Sequence, residues 1–320
     1  PLSLTVQIAK SDSSESGGTK IKTDIKTVKC NSFNIGIAML NLENVNQINL
    51  SHCTALVISE EVAREGLGNI INTIANNIEI RPTCNILVCQ DKAQSFLETA
   101  SKVEDISSKF YTSFIESIKI TSYTTPCTIS YFYSTTHHDI SSPLALYCFE
   151  KDDNIETLGL AIFDRYTMVG RTSGIETVCY NLLTDNFEES TIEVYNYQNP
   201  DIPLSINLSS PQKTKIKVKL EDGKPKITCN ISVNSKILSV NENYDFSSEE
   251  ARQKIEAEIN KFLEDSCTAF LCKTAQEYGV DVIGFEGYFN KNFLTQNQID
   301  KYNWKELYKN ATFEVTSTNH

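Results

Sequence analysis

The groups able to carry chemistry in this chain are four histidines, ten cysteines and a few adjacent carboxylates. His137-His138-Asp139 has the residue types of a metal site, but neighbouring side chains leave the backbone in different directions and a third, distant ligand would be required. An exposed loop is the better reading. His52 directly precedes Cys53, the pair a thiol nucleophile and its base would need, yet the residues that follow read as a buried strand, so core packing is preferred there. His320 lies at the terminus. The cysteines show no Cys-x-x-Cys spacing; Cys84 and Cys89 fall in an apolar strand pattern, and Cys267 and Cys272 fall in a helix at a spacing that suits no common ligand geometry. Most read as buried thiols acting as small hydrophobes, with one or two disulfides as the alternative.

Other candidates fare no better. Glu249-Glu250 begins a helix, where negative charge complements the macrodipole, and Glu188-Glu189 reads as solvent-facing. Lys213, Lys215, Lys217 and Lys219 line one face of a strand, either as an anion-binding surface or, the preferred reading, as a solvated face whose charge discourages edge aggregation. The chain contains no Gly-x-Ser-x-Gly elbow, phosphate loop or His-Glu-x-x-His. The residues therefore suggest no catalytic, cofactor-binding or metal-ligating set.

Those side chains are carried by 320 residues with 40% apolar and 22% charged content, enough for two or three globular domains. The net charge of -12 argues against nucleic acid, whose phosphates demand a basic face. Apolar runs such as 54–59 and 158–163 fall far short of the roughly 20 residues of a spanning helix. The chain opens at Pro1 without Met, which leads us to expect removal of a leader.

The pattern predicts a mixture of strands and helices with two soft boundaries, giving 1–142, a small central α+β domain 143–203, and 204–320 with a hairpin sheet under one long helix. The first domain opens with a hairpin, strands 2–9 and 20–28. Ile35, Ala38, Met39 and Leu42 recur at helical spacing. A strand at 55–58, a helix from Glu60, a helix at 69–76 carrying Ile70, Ile71 and Ile74, a strand at 85–89 and helices at 93–100 and 107–118 follow. Tyr123-Thr124-Thr125-Pro126 then breaks the helical pattern, ahead of a short apolar segment and the polar run ending at Asp139.

The central domain reads as a hairpin, 144–149 and 156–164, then a helix at 175–183 and a strand at 191–197. Asn199-Pro200-Asp201-Ile202-Pro203 reads as an extended connection. Beyond it, Ile216, Val218 and Leu220 face Ile227, Cys229, Ile231 and Val233 across an Asp222-Gly223 turn. A helix spans 249–278, with Ser247 and Glu250 as a capping box and Gly279 as terminator. A strand at 280–285, a short helix near Trp304 and a strand at 311–316 close the chain.

Three stretches resemble the C subunit of spore germinant receptors, the Ger(x)C lipoprotein family. The first is the run from Ser51 through Glu61 and Gly66 to Leu67, with Arg81 downstream. The second is Gly159-Leu160-Ala161-Ile162-Phe163-Asp164 with Gly170 and Glu176. The third is Asp281-Val282-Ile283-Gly284-Phe285, then Trp304 and Tyr308. The resemblance spans about residues 33 to 317. These motif residues read as structural, glycines for turns and aromatics for packing. The family's lipid-bearing N-terminal Cys is absent here, so a lipid anchor is implied for the precursor.

What the resemblance implies is an α+β fold of three mixed domains, each a β-sheet flanked by helices, in a non-catalytic, cofactor-free subunit that is lipid-anchored on the outer leaflet of the spore inner membrane. Its implied partners are the two integral-membrane subunits of the same receptor, with roles in assembly and germination signalling. A germinant-binding module and an unrelated secreted enzyme stand as alternatives.

Overall fold

The computed structural model describes residues 2–13, 19–44, 47–103, 115, 121–138, 141–152, 154–196, 199–240 and 248–319. The expected helix over 107–118, apart from residue 115, and the cap residue Ser247 lie outside them, as does Asp139. The fold is α+β, and Cα proximity groups it into two compact units: 1–119 with 126–138 and 143–171, and 120–125 with 139–142 and 172–320. Among the described residues the strands form three sheets, and no helix is long and apolar enough to cross a membrane.

In the first unit, β1 (Leu2–Ser13) and β2 (Thr19–Cys30) form an antiparallel hairpin. The central sheet has the order β3 (Ala55–Ser59), β4 (Asn85–Cys89), β5 (Leu144–Lys151), β6 (Asn154–Asp164), β7 (Thr167–Arg171). β3, β4 and β5 run parallel and the rest antiparallel. The hairpin β5–β6, grouped by sequence with the residues after it, thus completes the sheet begun by β3 and β4.

β4 explains why the sheet is covered on both faces. Its continuous apolar run sends Ile86 and Val88 into one core with Tyr147, Phe132 and Phe163, and Leu87 and Cys89 into another with Phe96, Ala100 and Cys148. The first core is roofed by α1 (Phe33–Leu42), α2 (Glu60–Glu65), α3 (Gly68–Ala75) and α5 (Ile129–His138), the second by α4 (Ala93–Val103). α5 corrects the expected loop: His137 and His138 form its last turn.

The second unit holds α6 (Gly174–Leu183) and a sheet in the order β10 (Lys215–Glu221), β11 (Lys224–Val240), β9 (Asn199–Ser209), β8 (Glu189–Asn196), with β12 (Thr312–Asn319) parallel to β11. The segment expected as an extended connection at 199–203 is the start of β9. Its prolines are tolerated because, among the described residues, β11 pairs with β9 only from Leu204 onward, so that end of the strand carries a ladder on the β8 side alone. At the β10–β11 turn, Asp222 (φ 51°) and Gly223 (φ 77°) both adopt the left-handed region, as a two-residue hairpin demands. β10 is an edge, and Lys215, Lys217 and Lys219 are exposed along it.

α7 (Glu249–Cys272) packs on β8 and β12 through Ile255, Ile259, Leu263, Cys267, Phe270 and Leu271. Its cap is Ser248, whose hydroxyl accepts from the Ala251 amide at 3.2 Å. The helix continues as a π-helical turn, Lys273–Tyr278, and stops at Gly279 in the left-handed conformation. The strand expected at 280–285 does not form; Asp281 instead folds the chain into a turn that starts α8 (Phe285–Asn290). α9 (Gln296–Ile299) and α10 (Trp304–Tyr308) lead into β12.

Candidate functional site

The most distinctive surface lies on the first unit, on two helices that carry no charge. α1 is Phe-Asn-Ile-Gly-Ile-Ala-Met-Leu-Asn-Leu and α3 is Gly-Asn-Ile-Ile-Asn-Thr-Ile-Ala. The helical stripe Ile35, Ala38, Met39, Leu42 points outward, not into the core. Its large members are 54%, 39% and 88% exposed for Ile35, Met39 and Leu42. The opposite face of α1 is the buried one, with Leu40 in the core and Gly36 so close to Leu4 and Cys30 that a Cβ would meet the Leu4 side chain at 2.6 Å. Glycine at 36 therefore lets α1 sit down on the β1–β2 hairpin and turns the apolar stripe to solvent.

α3 continues this surface. Asn34 at the start of α1 and Asn72, Thr73, Asn76 and Asn77 at the end of α3 line an open hollow of about 430 Å³. Ile78, fully exposed, stands next to it in sequence. Carboxamides, hydroxyls and apolar side chains without formal charge are the composition of an interface core, not of an ordinary solvated face.

The same unit holds a polar node. The Tyr147 hydroxyl donates to Glu60 Oε2 at 2.6 Å, Arg64 Nε donates to Glu60 Oε1 at 2.7 Å, and the Arg171 guanidinium lies 4.8 Å over the Tyr147 ring. Burial alone would raise the Glu60 pKa, but the tyrosine hydroxyl and the charges of Arg64 and Arg171 hold it below the usual carboxylate value. Tyr147 is pushed up to about 12 by burial and by the Glu60 carboxylate. The register of β5 against β6 shifts at Tyr147, which faces both Leu158 and Gly159, and Gly159 adopts φ 92° at that bulge. Glu60, Tyr147 and Arg171 were not singled out by sequence because tyrosine and arginine are common on strands and only the fold joins them.

The motif residues of the first unit are mostly devices of chain geometry. Glu61 and Arg81 are exposed, and Glu61 adds negative charge to the first turn of α2. Gly66 (φ 119°) ends α2, after which the Leu67 amide donates to the Tyr166 carbonyl at 2.9 Å. Phe163 is wholly buried, edge-on to Phe132 with centroids 4.9 Å apart. Gly170 is buried opposite Ile162.

In the second unit, Asp281 is buried with Oδ1 accepting from the Gly284 amide at 2.9 Å and Oδ2 from the Glu286 amide and Trp304 Nε1, each at 3.0 Å. Burial raises its pKa and the donors work against that rise. Gly284 (φ 84°) makes the turn possible. Glu176 completes a capping box with Ser173 and also meets Lys273 at 3.0 Å. Burial lowers the Lys273 pKa, but Glu176 and Tyr278 outweigh it and the net direction is upward. These two carboxylates thus serve a cap, a turn, an ion pair with Lys273 and a bond to the Trp304 indole.

Among the described residues the histidines join no cluster of potential ligands. His52 is exposed, and His137 is exposed, stacked on Tyr133 with centroids 3.9 Å apart. Among the described residues no group of three or more His, Cys, Asp and Glu side chains is placed to hold a metal. The ten cysteines carry free thiols in this structure and eight of them are buried, a burial that their apolar settings led us to expect.

Residues 158–320 match the family model described as spore germination B3/GerAC like, C-terminal, and residues 1–148 match that of the spore germination protein N-terminal domain. The chain is similar to spore germination protein GerQC of Bacillus cereus, at 23% identity over 308 residues, covering 94% of this chain and 82% of the other. It is also similar to the putative spore germination protein YfkR of Bacillus subtilis (strain 168), at 22% over 280 residues, covering 84% and 70%. The crystal structure of the GerBC protein superposes with a TM-score of 0.65 at 13% identity, covering 98% of this chain and 97% of that one. That likeness is one of fold.

Proposed function

Since the chain belongs to the GerAC-like family of spore germination proteins, we propose that it is the C-type subunit of a nutrient germinant receptor that supports receptor assembly and germination signalling without catalysis. Its proposed setting is the outer leaflet of the spore inner membrane, held there by a lipid on its precursor. Its proposed partners are the two integral-membrane subunits of that receptor.

The observation that carries this reading is the charge-free face of α1 and α3. The chain as a whole is acidic, with a net charge of -12, so its overall field repels anionic lipid and phosphate. A face with no charge escapes that repulsion, and its exposed Ile35, Met39, Leu42 and Ile78 gain most by meeting apolar side chains. The Asn and Thr rim can pair with backbone or amide groups at the ends of helices. An uncharged helical surface of an integral-membrane subunit has that chemistry.

The test places charge in the patch of the full-length, lipidated protein, as Met39→Glu with Leu42→Glu, and measures recovery of polytopic receptor subunits from spore membranes. Because both positions face solvent, thermal stability should be unchanged while recovery falls at least tenfold. Undiminished recovery with the doubly charged face would overturn the assignment of this surface, and recovery of no polytopic subunit by the unaltered protein would overturn the receptor reading itself.

A further inference from the structure

Two of the reduced cysteines stand apart from the rest. Cys53 Sγ lies 3.7 Å from Cys84 Sγ, and either thiol can donate to the other. Both sit at the entry to neighbouring parallel strands, where the Asn85 amide donates to the Thr54 carbonyl at 3.0 Å and Ala55 pairs with Asn85. Backbone on both sides is held: the Cys53 amide donates to Leu50, the Cys84 amide to Arg81, and the Cys84 carbonyl accepts from Ile129 at 2.8 Å. The sulfurs are in van der Waals contact at 3.7 Å, against the about 2.05 Å of a disulfide bond, on neighbouring strands whose backbone is already paired.

From this contact we propose that Cys53 and Cys84 form a reversible disulfide, made by exchange with a small-molecule disulfide. Access is asymmetric. Cys53 is half-buried while Cys84 is 2% exposed, so a reagent meets Cys53 first. The Cys84 hydrogen bond holds the Cys53 thiol below its ordinary pKa against the effect of burial, and Cys84 itself is pushed well up. Cys53 is therefore the attacking sulfur and Cys84 the resolving one.

The exchange balances in two steps. The Cys53 thiolate attacks one sulfur of the small disulfide, forms a mixed disulfide and expels one small thiolate, which takes up a proton. Cys84 then loses its proton and attacks the Cys53 sulfur, expelling the second small thiolate. Two protein thiols are oxidised and one small disulfide is reduced to two thiols. The other close pairings lack this route. Cys89 and Cys148 face each other across β4 and β5 but both are buried. Cys179 and Cys267, joined by a hydrogen bond, are buried as well, and Cys272, the remaining half-buried thiol, belongs to the second unit.

The bond would close the chain from 53 to 84 around α2 and α3, so that α3 and the uncharged face it helps form are tied to the sheet. The experiment treats the purified protein with oxidised glutathione and maps its peptides without reduction. We expect one linked peptide pair, Cys53 with Cys84, loss of two free thiols, a thermal midpoint raised by several degrees and full reversal by dithiothreitol. In Cys84→Ala the glutathione should remain on Cys53 as a stable adduct. A wild-type protein that keeps a glutathione adduct on Cys53 while Cys84 stays free would overturn the proposal, as would protection of both thiols from oxidation. The wild-type map decides the matter even where the variant folds poorly.

Discussion

Trp304 donates its indole Nε1–H to Oδ2 of Asp281 at 3.0 Å, across 23 residues of sequence, with both groups buried. This bond ties α10 to the turn that starts α8, and it fills one of the acceptor positions that the Gly284 and Glu286 amides leave open. The carboxylate is thereby the hub of a segment that has neither a strand ladder nor a long helix to hold it.

Asp281→Asn should therefore be costly although it is nearly isosteric. A carboxamide presents one NH₂ group to what are all N–H donors, so a buried donor is left unsatisfied, at about 2–3 kcal/mol. Trp304→Phe removes one bond and part of the ring, and should cost about as much through packing. Urea unfolding followed by circular dichroism checks both; a change in Asp281→Asn of only a few tenths would show that the hub is dispensable.

The Glu60 node predicts a pH dependence with a definite sign. The folded-state pKa of Glu60 lies below its unfolded value, so the folded state binds fewer protons in that interval and stability rises with pH there. Its contribution is present above the unfolded pKa of about 4.3 and is lost as pH falls through the folded one. Glu60→Gln should be less stable than wild type by about 1 kcal/mol near neutrality, a modest figure because solvent screens a carboxylate that is only partly buried, and the gap should close in acid. A gap independent of pH between neutrality and about pH 3 would contradict this account.

Two glycines should respond in opposite directions to the same substitution. Gly66 holds φ 119°, and a Cβ added there would meet Thr167 Oγ1 at an ordinary 3.5 Å, so the penalty of Gly66→Ala is conformational, about 1–3 kcal/mol. Gly287 lies inside α8 with nothing within 4 Å of an added Cβ, and Gly287→Ala should stabilise by up to about 1 kcal/mol. Thermal unfolding of the pair provides the comparison.

Glu176 has two separable tasks. Its Oε2 accepts from the Ser173 amide at 2.6 Å in the capping box, and the same carboxylate pairs with Lys273. Glu176→Gln preserves the reach to Ser173 and removes the charge. We expect it and Lys273→Met each to cost about 1 kcal/mol, with the double variant costing less than their sum, and the coupling to weaken in high salt. Strict additivity would mean that Glu176 acts through the cap alone.

Much of this architecture was legible because local chemistry enforces it. Asp222-Gly223 between alternating strands, the apolar run of 85–89, the helix ending at Gly279 and the hairpin 144–164 each carry a signal that tertiary context has no reason to override. The failures share a cause. Residues 280–285 are apolar enough for a strand, but the Asp281 carboxylate captures the amides that a ladder would use. Residues 199–203 look like a linker because of Pro200 and Pro203, yet they enter β9 where, among the described residues, only β8 pairs with it. His137 and His138 look like loop residues, yet they end α5, whose Phe132 anchors it in the core.

What the residues alone determined was most of the element inventory and the family, both of which follow from short-range spacing and from motif strings. Tertiary structure alone decided which Glu of Glu60-Glu61 enters a network, that Cys53 touches Cys84, and that Ile35, Met39 and Leu42 face outward. Helical periodicity shows that a stripe is apolar but not which side it turns to the protein. On α1 that choice was made by Gly36, where the absence of a side chain lets the helix approach Leu4 and Cys30 closely enough to pack.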